Sequence, residues 1–494
     1  MFESAELGHK LSKGEYKKVE PQLRADLLDA QYALSRNAKF PVIILISGVR
    51  GAGKGETVNL LNAWMDPRHI VASAFDNPTD EERERPPMWR FWRALPPKGK
   101  IGMLFGSWYT APIIDRVFKQ TKPNDLARSI EEINRFEKML ADDGALILKF
   151  WFHLSKKRQK KRLKALADDP ETSWKITKRD WEFFKLYDRF YAVSEETLRE
   201  TSTAWAPWLV VEGSDPEYRA VTVGRTLLEA MRKRLAAPPE RRAKKSDAAP
   251  LVRPVDNLHI VDTLDLSVSL PREKYQKALR KQQRELALLT RHPKFGQHTV
   301  VAVFEGMDAA GKGGAIRRIT AALDARLYRI IPIAAPTDEE RAQPYLWRFW
   351  RHLPRAGRYT IYDRSWYGRV LVERVEGFAQ EADWMRAYSE ISDFEEQLAR
   401  HGAVVIKYWL QIGKDEQHKR FKLRERTRHK QFKITPEDWR NREQWKAYQG
   451  AAADMIERTS TAHAPWVLVE SNDKYWARVK ILQTLVDALR ARLE

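Results

Sequence analysis

At 494 residues the chain is too long for a single hydrophobic core and suits two domains of ordinary size. It has no cysteine, which excludes a disulfide framework, a thiolate nucleophile and a thiolate metal site, and no stretch is apolar enough to span a bilayer. A formal net charge of +21 calls for an anionic partner; the charged first segment, with no apolar leader, points to a soluble, cytoplasmic protein without a membrane partner.

In chain order, the apolar run Val42 to Ile46 leads into Gly48-Val-Arg-Gly-Ala-Gly53-Lys54-Gly55, a G-x-x-x-x-G-K phosphate-binding loop with a strand before it and a helix after. A strongly basic cluster follows at Lys156 to Lys164. Residues 236–255, dominated by Pro, Ala and charge with no apolar period, read as a linker between a domain at 1–235 and another at 256–494. Beyond it, β-rich apolar runs are predicted at Thr299–Phe304, Tyr328–Ile333, Tyr359–Tyr362, Val404–Leu410 and Trp466–Val469, with helical stretches between them. The first of these runs into a second loop, Gly306-Met-Asp308-Ala-Ala-Gly311-Lys312-Gly313. Alternating strands and helices imply an α/β fold with parallel sheets, and ligands at the carboxyl ends of the strands, where Gly306 and Asp363 both fall.

A constant shift of 258 positions superimposes the halves: Gly48 on Gly306, Lys54 on Lys312, Pro78–Arg83 on Pro336–Arg341, Trp89–Arg93 on Trp347–Arg351, and Ser107-Trp-Tyr109 on Ser365-Trp-Tyr367. A period this long is a duplicated domain rather than a solenoid. The copies differ where chemistry would sit. Asp308 is matched by Arg50, and Asp363-Arg364 by Phe105-Gly106. Gly313 stands where a hydroxyl usually binds Mg²⁺, so a carboxylate must replace it, and Asp308 is the nearest candidate. Asp363, at the end of an apolar strand, suits a second metal ligand. It would also suit a helix N-cap, but its loss together with Asp308 in the first copy favours metal.

The cluster Lys419 to Lys433 follows the fourth strand, where nucleotide-type kinases keep a helical lid, and Thr435-Pro-Glu-Asp438 reads as a helix start. Arginines along a helical face suit a row of phosphates. Trp347, Phe349 and Trp350 read as a core helix with Arg348 and Arg351 turned outward, rather than as a base-stacking surface, so a nucleic-acid partner is disfavoured. The histidines show no ligand spacing.

The loop Gly306–Gly313, the segment Asp363-Arg-Ser-Trp-Tyr-Gly-Arg369 and the basic lid together resemble the polyphosphate kinase 2 family, specifically its members with two fused domains. The resemblance implies two tandem thymidylate-kinase-like domains with helical lids, Mg²⁺, and phosphoryl transfer between inorganic polyphosphate and a nucleotide. For fused members it implies AMP as acceptor and ADP as product. In those terms Gly306, Gly311, Gly313 and Lys312 hold phosphates, Asp308 and Asp363 hold Mg²⁺, and Asp308 also orients or deprotonates the attacking oxygen. Arg364, Arg369, Arg420, Arg424, Lys430 and Lys433 neutralise the polymer. Phosphorylation of ADP or GDP, an ATP-using nucleotide kinase and a nucleic-acid-dependent ATPase are the alternatives, and homo-oligomerisation is compatible with the sequence.

Overall fold

The computed structural model describes residues 1–237 and 259–494; most of the linker expected at 236–255 lies outside the described residues. These residues form two compact units that are not contiguous in sequence. One takes 1–78, 88–237 and 336–348, the other 79–87, 259–335 and 349–494. Each holds one five-stranded parallel sheet.

In the first unit the strands are β1 (Val42–Gly48), β2 (Ile70–Ala74), β3 (Ile101–Phe105), β4 (Leu146–His153) and β5 (Trp208–Glu212), in spatial order β2-β3-β1-β4-β5. In the second they are β6 (Thr299–Gly306), β7 (Tyr328–Pro332), β8 (Tyr359–Asp363), β9 (Ala403–Gln411) and β10 (Trp466–Glu470), in order β10-β9-β6-β8-β7. The second order is the first read from the other edge, strand for strand. The central strands β1, β4, β6 and β9 are almost wholly buried, as continuous apolar runs in a sheet covered on both faces must be. The five strands expected in the second half each match within two residues.

Register fixes where the chemistry can lie. β6 pairs with β8 so that Phe304 opposes Asp363, and with β9 so that Gly306 opposes Leu410. The loop after β6 and the acid ending β8 therefore emerge side by side. Gly306 must be glycine: its φ is +139°, and a Cβ there would stand 2.4 Å from the Leu410 carbonyl oxygen.

Beneath the site a buried polar network ties the segment after β8 to the core. The Lys407 ammonium donates to the Tyr367 hydroxyl (2.8 Å), to Glu395 (2.7 Å) and to the Thr459 carbonyl (2.7 Å), and Glu395 also accepts from the Trp366 indole (2.9 Å) and the Tyr367 hydroxyl (2.7 Å). Lys407 and Glu395 are fully buried. The first unit repeats this with Lys149, Glu137, Trp108, Tyr109 and Thr201. Retention in both copies marks the network as architectural, and it explains why the Trp-Tyr pair survives where the carboxylates do not.

The aromatic segment 347–350 also serves the core: Phe349 and Trp350 are buried, with Trp366 and Phe394 rings packed on them. One expectation needs correcting. Arg348 does not face outward; it is buried, with its guanidinium 3.3 Å from the equally enclosed Glu340.

Candidate active site

The residues 306–313 wrap around the amino end of the helix Lys312–Thr320. Ala309 (φ +61°) and Gly311 (φ +117°) turn the backbone so that successive N–H groups converge, an arrangement that binds anions without side chains. The Lys312 ammonium lies on the loop's own carbonyls, 2.6 Å from Gly306 O. Burial, then the Arg364 charge, pulls it below the ordinary lysine range, against Asp308, Asp363 and Glu305. A bound phosphate would supply the missing counter-charge.

Asp308 and Asp363 line one cavity of about 600 Å³. Asp308 accepts from the Arg364 guanidinium (3.0 Å) and from the Asn441 amide (2.9 Å), while its carbonyl accepts from Gln417 (3.0 Å). The Asp363 carboxylate sits 3.9 Å from where a Gly313 Cβ would be, beside the position at which a hydroxyl normally meets the metal. Arg364 holds φ at +64°, a conformation a side chain adopts only against strain, and its first-copy counterpart is Gly106 at φ +76°. The strain is kept only where the guanidinium has Asp308 to hold.

A lid covers the loop: helix Lys414–Arg426, the turn Arg428–Lys433, and helix Pro436–Glu443, whose start is a Thr435–Asp438 capping box as expected. Nine cations line the cavity (Lys312, Arg317, Arg364, Arg420, Arg424, Lys430, Lys433, Lys474, Arg478) against four carboxylates (Asp308, Asp363, Glu437, Asp438). A second, smaller cavity of about 60 Å³ shares Asp308, Arg364 and Asn441 with the first and is otherwise lined mainly by Met307, Leu371, Val372, Trp409 and Tyr448. One cavity is strongly cationic and the other largely apolar; they meet at Asp308.

Two residues expected to bind phosphate are placed otherwise. All five N–H donors of Arg420 are taken: Nε by Glu416 (2.8 Å), one terminal nitrogen by the Ala309 and Ala310 carbonyls (2.9 and 3.1 Å), the other by the Ser471 and Asn472 carbonyls (2.7 Å each). Arg420 pins the loop's backbone and has no donor left for a ligand. Arg369 lines neither cavity, and its guanidinium stands 3.0 Å from Glu373.

Conversely, Glu305 was missed. It is a buried carboxylate at the end of β6, bonded to the Ser365 hydroxyl (2.8 Å) and held above the usual carboxylate range by burial. Asn441, Lys474 and Arg478 were missed as well. The signal was present in the 258-residue shift, which opposes them to Ser47, Phe183, Pro216 and Ala220.

The first copy is closed by its own side chains. Arg50 pairs with Asp180 at 2.6 Å, so the residue replacing Asp308 bonds the counterpart of lid residue Asp438. Arg219 is buried against the loop; a Cβ on Gly53 would meet its guanidinium carbon at 2.1 Å, whereas nothing stands within 4 Å of the same point on Gly311. Arg219 and Arg162 both pair with Glu56, a carboxylate on the first turn after the loop where the second copy has Gly314. The Lys54 ammonium is lowered to about 8 by burial and by Arg50. A carboxylate thus already sits among the cations at the helix amino end.

Comparison with known proteins agrees with this geometry. The family model described as polyphosphate kinase 2 matches twice, at residues 10–238 and 269–494. The chain is 58% identical over 491 residues to a polyphosphate:AMP phosphotransferase of Pseudomonas aeruginosa, covering 99% of each, and 41% identical over 483 residues to one of Acinetobacter johnsonii, covering 96% of each. A crystal structure from Pseudomonas aeruginosa described as a polyphosphate kinase 2 superimposes with a TM-score of 0.90 at 55% identity, over 100% of this chain and 99% of that one. With both halves matched and the fold shared over its whole length, the chain belongs to the polyphosphate kinase 2 family.

Proposed function

We propose that the second half moves the terminal phosphoryl group of inorganic polyphosphate to AMP: polyphosphate(n) + AMP → polyphosphate(n−1) + ADP. The observation that carries this reading is the meeting of a cavity lined by nine cations with an apolar one at Asp308. A polyanion suits the first, the apolar walls of the second offer contact to one edge of a nucleoside, and a shared carboxylate stands where they would react. The names of full-length relatives support the same donor and acceptor.

In this reading an oxygen of the AMP phosphate attacks the terminal phosphorus while the bond to the shortened chain breaks, and the chain leaves with those electrons. Lys312 and the loop N–H groups hold the transferring phosphate, and Arg364 neutralises charge that builds on its oxygens. Asp308 orients the acceptor oxygen or takes its proton as the new P–O bond forms. Arg424, Lys430 and Lys433 hold the polymer, joined by Lys474 and Arg478.

Mg²⁺ would be held by Asp308 and Asp363. The donor set fits, because this ion takes one or two protein carboxylates and completes its shell with water and substrate phosphates; among the described residues no richer cluster of acids and histidines exists. When bound it would screen the charge of the two reacting phosphates. We take 1–235 and 256–494 as the two domains, and the cytoplasm, where nucleotides are plentiful, as the site of action. Among the described residues no helix is long and apolar enough to cross a membrane.

Initial rates with polyphosphate and Mg²⁺ test the proposal. The specificity constant for AMP should exceed that for ADP, with no ADP formed from AMP when ATP replaces polyphosphate. A constant for ADP at or above that for AMP would overturn the acceptor, and ATP-dependent turnover without polyphosphate would overturn the donor.

Polymer binding should also depend on salt, since each contact to a polyanion releases condensed counterions. Replacing Arg424, Lys430 and Lys433 together with Gln should lower the slope of log KM for polyphosphate against log salt by about two. An unchanged slope would place the polymer elsewhere.

A further inference from the structure

Once the first copy's loop is closed by Arg219 and Glu56, the charge on its lid helix needs another explanation. Helix Lys156–Asp168 begins Lys-Lys-Arg-Gln-Lys-Lys-Arg-Leu-Lys and carries no acid in its first turn. Its counterpart in the second half, Lys414–Arg426, has Asp415 and Glu416 where this helix has Lys157 and Arg158. Six of the nine cations that line the catalytic cavity have meanwhile disappeared from the first copy: Arg317, Arg364, Arg424, Lys430, Lys474 and Arg478 correspond to Asn59, Gly106, Leu166, Thr172, Pro216 and Ala220. Most of the pocket's positive charge has gone, while the lid face gains Lys157 and Lys160 where the second copy has Asp415 and His418, and keeps Lys161 and Lys164 opposite Lys419 and Lys422.

Lys157, Lys160, Lys161 and Lys164 are spaced i, i+3, i+4, i+7, so they share one face, and all four are exposed. Among the described residues none of them has an ion pair, whereas Lys156 pairs with Asp188 and Arg158 with Glu212. Such a face works against its own helix. Like charges three and four residues apart repel, cations at a helix amino end oppose the macrodipole, and the Ser155 side chain makes no capping bond. A bound polyanion would offset the repulsion between the lysines and the opposed dipole.

We propose that this lysine face is a second, non-catalytic binding site for inorganic polyphosphate. It rests on the polyphosphate reading of the catalytic half. Its role is to hold a distant part of a long chain while the chain's end reacts at Lys312, raising the local concentration of donor.

The test replaces Lys157, Lys160, Lys161 and Lys164 with Gln in the full-length protein. A control removes as much charge from another exposed stretch, with Lys10, Lys13, Lys17 and Lys18 replaced by Gln. KM for polyphosphate is measured over a series of chain lengths, alongside equilibrium binding of long-chain polyphosphate and of a single-stranded RNA. The expected result is a rise in KM and in dissociation constant for long chains on the order of tenfold, and a salt slope lower by about three. KM for the shortest chains turned over, and kcat, should not change, and the control should behave as wild type.

Equal KM values at every length, or the same shift in the control, would overturn the proposal. So would loss of RNA binding alone, which would make the face a nucleic-acid site. Wild-type protein that transfers nothing from polyphosphate would instead overturn the proposed function; in that case unaltered polyphosphate binding by the lysine variant rejects the second site as well.

Discussion

Replacing Asp308 or Asp363 with Asn should lower turnover by on the order of 10³-fold or more and leave the fold intact. Both acids sit at strand ends that register brings together, and both line the cationic cavity. The substitution keeps the shape of each side chain and removes its charge. At position 308 the amide can still accept from Arg364 or Asn441, so folding should be little affected. What goes is the charge expected to hold Mg²⁺ and steer the acceptor oxygen, a term several kcal/mol deep in reactions run by positioning and electrostatics. Steady-state rates with polyphosphate and AMP, checked against an unchanged circular dichroism spectrum, decide it. Turnover within about tenfold of wild type in either variant would sink the assignment.

The second large effect is on stability. Lys407→Met should destabilise the second half by about 3–5 kcal/mol, because it strips the partner from a fully buried carboxylate. Glu395 would keep the Trp366 and Tyr367 donors but lose its counter-charge, and the Tyr367 hydroxyl and Thr459 carbonyl would each lose a donor. Because the chain has two units, its unfolding is not a single two-state event, and the readout is the urea transition of the second half, followed by hydrogen exchange in β9. That transition should separate and move to lower urea. Activity should fall with it, since the network anchors the Trp-Tyr pair that directly follows Asp363-Arg364-Ser365. A transition at the wild-type midpoint would mean that the pair contributes nothing net.

Strands, loops and paired acids were legible because each is local. Val300 to Phe304 is an apolar run whatever surrounds it, and Gly306-x-x-x-x-Gly311-Lys312 needs only its own backbone to make a phosphate cradle. Asp363 was legible because it ends a strand. Residues whose meaning depends on distant partners were not. Glu305 hid inside a strand, and its bond to Ser365 spans 60 positions. Asn441 reaches Asp308 across 133 positions from a lid helix that reads as ordinary solvated surface. Arg420 was misjudged for the converse reason: a basic run shows charge but not which guanidinium will be consumed by backbone carbonyls. Comparison of the copies narrows that gap, since the site residues the sequence reading missed have chemically incompatible counterparts, such as Phe183 for Asn441 and Ser47 for Glu305.

The central claim is that one chain carries one working site, in its second half. It is tested most directly by assaying Lys54→Ala and Lys312→Ala side by side in the full-length protein, with polyphosphate, Mg²⁺ and AMP. The two lysines occupy the same place in their loops, and each bonds the first carbonyl of its own loop. Lys54 faces a site already filled by Arg219 and Glu56, whereas Lys312 faces an open cavity. The account predicts a loss on the order of 10³-fold for Lys312→Ala and a turnover number within about twofold of wild type for Lys54→Ala. Comparable losses in the two variants would contradict it.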